Sequence, residues 1–133
     1  MMSKVIRYWI PVGLYLYLIF QISSLSHLPG PKIPFISELA HLVEYGILSY
    51  LFYRAFVNSG SKFLVRYSRS LAITASILYG FTDELHQAFV PCRCPSIYDL
   101  IFDGIGASIA QILRINLIRK GISNKVKSRY KYC

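Results

Sequence analysis

No acidic residue stands before Glu38 or after Asp103 in these 133 residues. Only 16% of the chain is charged, and a soluble domain of this size needs more polar surface than that. There is no alternation of polar and apolar residues with period two, which argues against a membrane barrel. Only helices or closed barrels satisfy the backbone in lipid, so helices are left. There is no internal repeat, which disfavours a carrier built on alternating access. No glycine loop for phosphate and no nucleotide fingerprint occurs, so the sequence names no cofactor. Three cysteines set no disulfide framework. Cys92-x-Cys94 is closer than the two to four residues usual between zinc-binding cysteines, and no metal site is expected.

What is present is hydrophobic. Apolar residues make up 54% of the chain, with mean hydropathy +0.43. They fall into four blocks, about Tyr8–Ile22, Leu39–Val57, Ser70–Phe89 and Ile97–Ile118. Each approaches the roughly 20 residues that cross about 30 Å of hydrocarbon. The expected fold is one all-α domain, an integral membrane bundle of four transmembrane helices. The first block, behind Lys4 and Arg7 and before Ser23, Ser24 and Ser26, also has the look of a signal peptide. The four-span reading is preferred. Leu25–Ser37, with Pro29, Gly30, Pro31 and Pro34, reads as a loop. Val90–Pro95 reads as a tight turn, and Asn58–Tyr67 as a basic connection.

The net charge of +9 would suit nucleic acid, but its distribution does not. Lys4, Arg7, Arg54, Lys62, Arg66, Arg69, Arg114 and the cluster from Arg119 to Lys131 fall on one side of a four-span chain. Only Lys32 and Arg93 fall on the other. This is the positive-inside pattern, with both termini cytoplasmic. The 119–133 tail is expected against anionic lipid headgroups, and nucleic acid is not an expected partner.

Carboxylates inside apolar spans are costly and mark functional sites. At about 1.5 Å rise per residue, Glu44 lies about 7–8 Å inside the outer edge, and Asp83 and Asp103 about 9 Å inside. His41 and Glu44 are three apart; Asp83 and Gln87, and Asp99 and Asp103, are four apart, so each pair shares a helix face. The three stripes are expected to meet in one outward-opening pocket. Its carboxylates cannot all be ionised together in low dielectric. His41, Asp83 and Glu84 are the acid–base candidates. Glu44, Gln87, Arg93, Ser96, Asp99 and Asp103 are the binding candidates, with Arg93 suited to a phosphate or carboxylate. Gly104, Gly106, Ala107 and Ala110 read as helix packing, with Gly106 and Ala110 at small-xxx-small spacing. A proton path is disfavoured, because the cytoplasmic halves offer only Ser49, Thr74, Ser76, Gln111 and similar weak groups.

Asp83-Glu84-Leu85-His86-Gln87-Ala88-Phe89-Val90-Pro91-Cys92-Arg93, then Ser96-Ile97-Tyr98-Asp99 and Gly106, resembles the signature of the VanZ-like family. That signature runs Asp-Glu-x-x-Gln-x-Phe-x-Pro-Gly-Arg, then Ser-x-x-Asp, then Gly. His41-Leu42-Val43-Glu44-Tyr45 resembles its His-x-x-x-Tyr segment. The resemblance covers most of the chain. It implies a small bacterial multi-pass protein of the plasma membrane, whose namesake is linked to resistance to the glycopeptide teicoplanin. Three positions depart: Glu38 where the family often has Lys, Cys92 where Gly is common, and Asp103 where Asn is common.

Two functions compete at this point. One is a site that binds or acts on a lipid-linked or cell-envelope substrate; whether it is an enzyme stays open. The other is a structural or interaction protein whose polar cluster only stabilises helix packing.

Overall fold

The computed structural model describes residues 2–25 and 36–130, with side chains for 6–25 and 36–117. Of the expected Leu25–Ser37 loop, 26–35 lie outside them, and Ile36 and Ser37 already belong to the first turn of a helix. Five helices follow one another: α1 (Met2–Ser23), α2 (Ile36–Val57), α3 (Lys62–Arg66), α4 (Ser68–Gln87) and α5 (Ile97–Tyr130). Among the described residues there is no strand. Four of the helices coincide with the four apolar blocks. The basic connection is not a bare loop: Ser61 caps the short α3, its Oγ accepting from Leu64 N–H at 3.4 Å. The basic segment after Arg119 does not leave the helix. α5 continues through Tyr130, as lysine and arginine are good helix formers and no proline interrupts.

α2 is the centre of the bundle and touches each of the other helices. Its closest neighbour is α5. Gly106 of α5 lies so near the Leu42 carbonyl oxygen that a Cβ there would overlap it. The Gly106 carbonyl in turn lies 3.3 Å from where a Cβ of Gly46 would be. The small residues of α5 therefore do what their spacing suggests.

Two sets of contacts give the helix directions. Trp9 stacks edge-on against Phe56, and Tyr53 and Phe56 pack on Ala72, joining the start of α1, the end of α2 and the start of α4. Tyr79 O–H donates to the Leu16 carbonyl at 2.6 Å, and Tyr15 O–H to the Glu44 carbonyl at 3.3 Å. The helices alternate up and down, and α1 is a packed member of the bundle.

The bundle buries polar groups beside an apolar core of Ile19, Tyr45, Leu48, Tyr53, Phe56 and Ala72, and is apolar on its outside. Ser49, Ser76, Asp83, Glu84, Gln87, Asp103 and Gln111 are buried. Leu14 (65% exposed), Leu39 (58%), Leu78 (61%) and Leu117 (71%) face outward, one on each long helix. The segment Ile97–Leu117 is long and apolar enough to cross a membrane, and among the described residues it is the one helix meeting that composition.

Candidate functional site

The N-terminal parts of α2 and α5 and the C-terminal part of α4 meet at one end of the bundle. There His41 of α2 lies between two carboxylates of α5. Its Nδ1 is 2.9 Å from Asp103 Oδ1, and its Nε2 is 3.9 Å from Asp99 Oδ2. With Asp103 ionised the carboxylate only accepts, and Nδ1 is then the donor in that hydrogen bond. The four-residue spacing of Asp99 and Asp103 lets both reach one imidazole. Asp103 is fully buried, and its Oδ2 has no hydrogen-bond partner among the described residues. Gly80 of α4 makes this arrangement possible, because a Cβ there would overlap Asp103 Oδ2.

Glu84 and Ser96 start α5. Ser96 accepts from Asp99 N–H through Oγ at 3.4 Å, and its carbonyl takes the first helical bond from Leu100 N–H at 3.4 Å. Ser-x-x-Asp is the spacing of a capping box, in which the acid bonds back to the cap N–H. Here Glu84 takes that N–H instead, Ser96 N–H donating to Oε2 at 2.6 Å. The exchange leaves the Asp99 carboxylate free to face His41. Glu84 Oε1 is buried and has no partner among the described residues. One ligand atom each from His41, Glu84 and Asp99 lies within 4.8 Å of the others.

The remaining candidates gather on the other side of His41. A cavity of about 160 Å³ is lined by His41, Glu44, Asp83, Gln87 and Arg93, with Ile19 and Ile22 of α1 at its wall. Asp83 Oδ2 accepts from Gln87 Nε2 at 3.1 Å. Arg93 donates through Nε to the Leu25 carbonyl at 3.2 Å. The expected single pocket is thus two compartments sharing His41. Asp99, Asp103, Glu84 and Ser96 do not line the cavity. A larger depression of about 740 Å³ runs between α2 and α5 over Gly46, Ile109 and Leu113. It is open and apolar and holds no carboxylate.

Three features were not visible in the sequence. His86 bonds Ser24 Oγ at 3.0 Å and stacks on Phe20, fastening α4 to α1. Gln111 donates to the Ser49 carbonyl at 3.1 Å and to its hydroxyl at 2.9 Å, and Ser49 donates to the Ala107 carbonyl at 3.1 Å. This is a second buried polar layer, in which Gln111 Oε1 has no partner among the described residues. Arg114, which counts among the tail cations by sequence, instead lies 3.7 Å over the Tyr53 ring. Its neighbour four residues before, Ala110, was the available signal, since both belong to the face of α5 against α2.

Cys92 and Cys94 are free and exposed. Cys92 has φ of 64°, the left-handed region that favours glycine, which accounts for the glycine common at this place in the resembling motif.

The family model described as VanZ/LLP1 matches residues 5–118, from the first turn of α1 to the body of α5. No curated protein and no solved structure matches. The chain belongs to the VanZ/LLP1 family.

Proposed function

We propose that this chain spans the bacterial plasma membrane with α1, α2, α4 and α5, both termini cytoplasmic, and binds or acts on a lipid-linked or cell-envelope substrate from outside. The observation that carries the reading is the separation of charge along the bundle. The buried carboxylates and His41 occupy one end, while Arg7, Arg54, Lys62, Arg66 and Arg69 belong to the other. The positive-inside rule then turns the acidic end outward. The apolar outer surface on every long helix supports lipid as its surroundings.

The cavity sets the scale of the ligand. At about 160 Å³ it is below the roughly 300–1,000 Å³ of pockets that enclose drug-sized molecules. A phosphate or carboxylate headgroup fits, and a whole glycopeptide does not. A link to teicoplanin resistance would therefore run through an envelope component rather than through burial of the antibiotic. Arg93 is held by Nε on Leu25, which leaves its terminal nitrogens for an anion. Within the cavity His41 and Asp83 are the groups able to move protons, with Glu44 and Gln87 shaping it, while Glu84 acts from the far side of His41.

Asp83→Asn and Arg93→Ala test this, with membrane expression matched to the parent. Loss of an envelope phenotype, read as teicoplanin susceptibility and as the lipid profile, is expected. If both variants keep the phenotype, the site reading fails. The interhelical links His41–Asp103 and Gln111–Ser49 favour a second reading, a purely structural polar core. On that reading the same variants lower thermal stability in detergent instead of changing the phenotype at full stability.

A further inference from the structure

The arrangement around His41 goes beyond a binding pocket for an anion. We infer that His41 Nε2, Glu84 and Asp99 form a site for one divalent transition-metal cation, with Asp103 orienting the imidazole from behind.

Ligand spacing is the first ground. Two ligands about 2.1 Å from one ion stand at most about 4.2 Å apart. The 3.9 Å between His41 Nε2 and Asp99 Oδ2 is too long for a hydrogen bond and fits that limit. Around a tetrahedral ion such ligands stand about 3.4 Å apart, so the whole triad, within 4.8 Å, closes on an ion by side-chain movements of about 1–1.5 Å.

The second ground is the other face of the imidazole. Metal-bound histidines donate their remaining ring N–H to a carboxylate or carbonyl, which fixes the tautomer. His41 Nδ1 meets Asp103 Oδ1 at 2.9 Å, so Nε2 is the ring nitrogen left facing Asp99 and Glu84, where an ion would take its lone pair. Third, Glu84 is only 7% exposed, and its carboxylate faces the other two ligands while Oε1 has no partner among the described residues. A buried carboxylate oxygen without a partner is costly, and a cation removes that cost. Fourth, Glu84, Asp99 and Asp103 lie together within the bundle with one imidazole among them.

The donor set selects the ion. One imidazole and two carboxylates suit Zn²⁺ or Mn²⁺ better than Mg²⁺ or Ca²⁺, which take oxygen ligands alone. Three protein ligands leave a coordination position open, the pattern of sites that receive a further ligand rather than of structural sites. The sequence hid the set, because its members stand on three helices with no recurrent spacing. The metal site stands on this geometry alone and does not need the lipid-linked substrate.

Purified full-length protein in nanodiscs, stripped with chelator, is titrated with Zn²⁺ and with Mn²⁺. One ion per chain is expected, with Mg²⁺ and Ca²⁺ failing to compete. His41→Ala and Asp99→Asn should weaken binding at least 100-fold, and Asp103→Asn by about 10–100-fold. Glu84→Gln serves as the conservative variant where His41→Ala does not fold. A Cys92→Ser, Cys94→Ser double variant should bind unchanged, and X-ray absorption of the zinc form should report nitrogen and oxygen without sulfur. Absence of stoichiometric binding to folded parent protein overturns the inference, as does binding that follows the cysteines. Metal binding with an unaltered envelope phenotype in Asp83→Asn and Arg93→Ala would keep the metal and reject the substrate. The opposite result would do the reverse.

Discussion

His41 of α2 and Asp103 of α5, 62 residues apart in the chain, share a 2.9 Å hydrogen bond inside the bundle, and Gly80 of α4 supplies the space for it. Three helices thus meet at one imidazole. Asp103→Ala leaves the His41 N–H without its buried partner. The expected loss is about 1–3 kcal/mol of stability, read as a lower unfolding midpoint in detergent. An unchanged midpoint would mean that the bond carries no weight.

Gly80→Ala changes no charge and removes no hydrogen-bonding atom. Its Cβ would overlap the Asp103 carboxylate, with the Tyr45 ring 3.2 Å away on the other side. Asp103 must turn, and His41 loses its orientation. The expected outcome is loss of site function comparable to that of Asp103→Asn, with the protein still in the membrane. Metal titration or the envelope phenotype checks it.

The glycines of α2 and α5 should rank by what surrounds them. A Cβ at Gly106 meets the Leu42 backbone, which cannot yield, so Gly106→Ala should cost about 1–3 kcal/mol by forcing the helices apart. At Gly46 the nearest atom is 3.3 Å away, and the cost should be smaller. At Gly104 only the end of the Ile77 side chain lies near, at 3.6 Å, so Gly104→Ala should gain up to about 1 kcal/mol of helix propensity. Thermal unfolding of the three variants gives the order directly.

Gln111→Leu separates packing from function. It removes both bonds to Ser49, far along the bundle from His41, and should lower stability by about 1–2 kcal/mol with the envelope phenotype intact. A lost phenotype at full stability would tie this layer to the site.

Cys92→Gly should relieve the left-handed strain of the turn before Arg93, raising stability by about 1 kcal/mol. A lower midpoint would mean that the thiol makes a contact of its own.

The four long helices and the pairing of residues within each polar stripe were legible, because lipid-length apolar runs and three- or four-residue spacing are properties of single helices. His41 with Glu44, Asp83 with Gln87 and Asp99 with Asp103 needed nothing else. The partition into two compartments was not legible. It depends on Glu84 taking the Ser96 N–H and so freeing Asp99, a choice made between helices. Gly80 was missed for the same reason: its value lies in an atom of Asp103 that approaches from another helix. Ser96 was read as a binding candidate, and the cap its hydroxyl makes for α5 at Asp99 N–H was not foreseen.

The central claim is that the acidic end of the bundle faces outward, and two native residues report on it. Cys92 and Cys94 are exposed in the turn beside Arg93. In a Cys133→Ser background, intact cells are treated with a membrane-impermeant maleimide, and the protein is then isolated and its labelling measured. Labelling of Cys92 and Cys94 in intact cells, unchanged after lysis, is the predicted result. Labelling that occurs only after lysis would turn the acidic end inward and contradict the account.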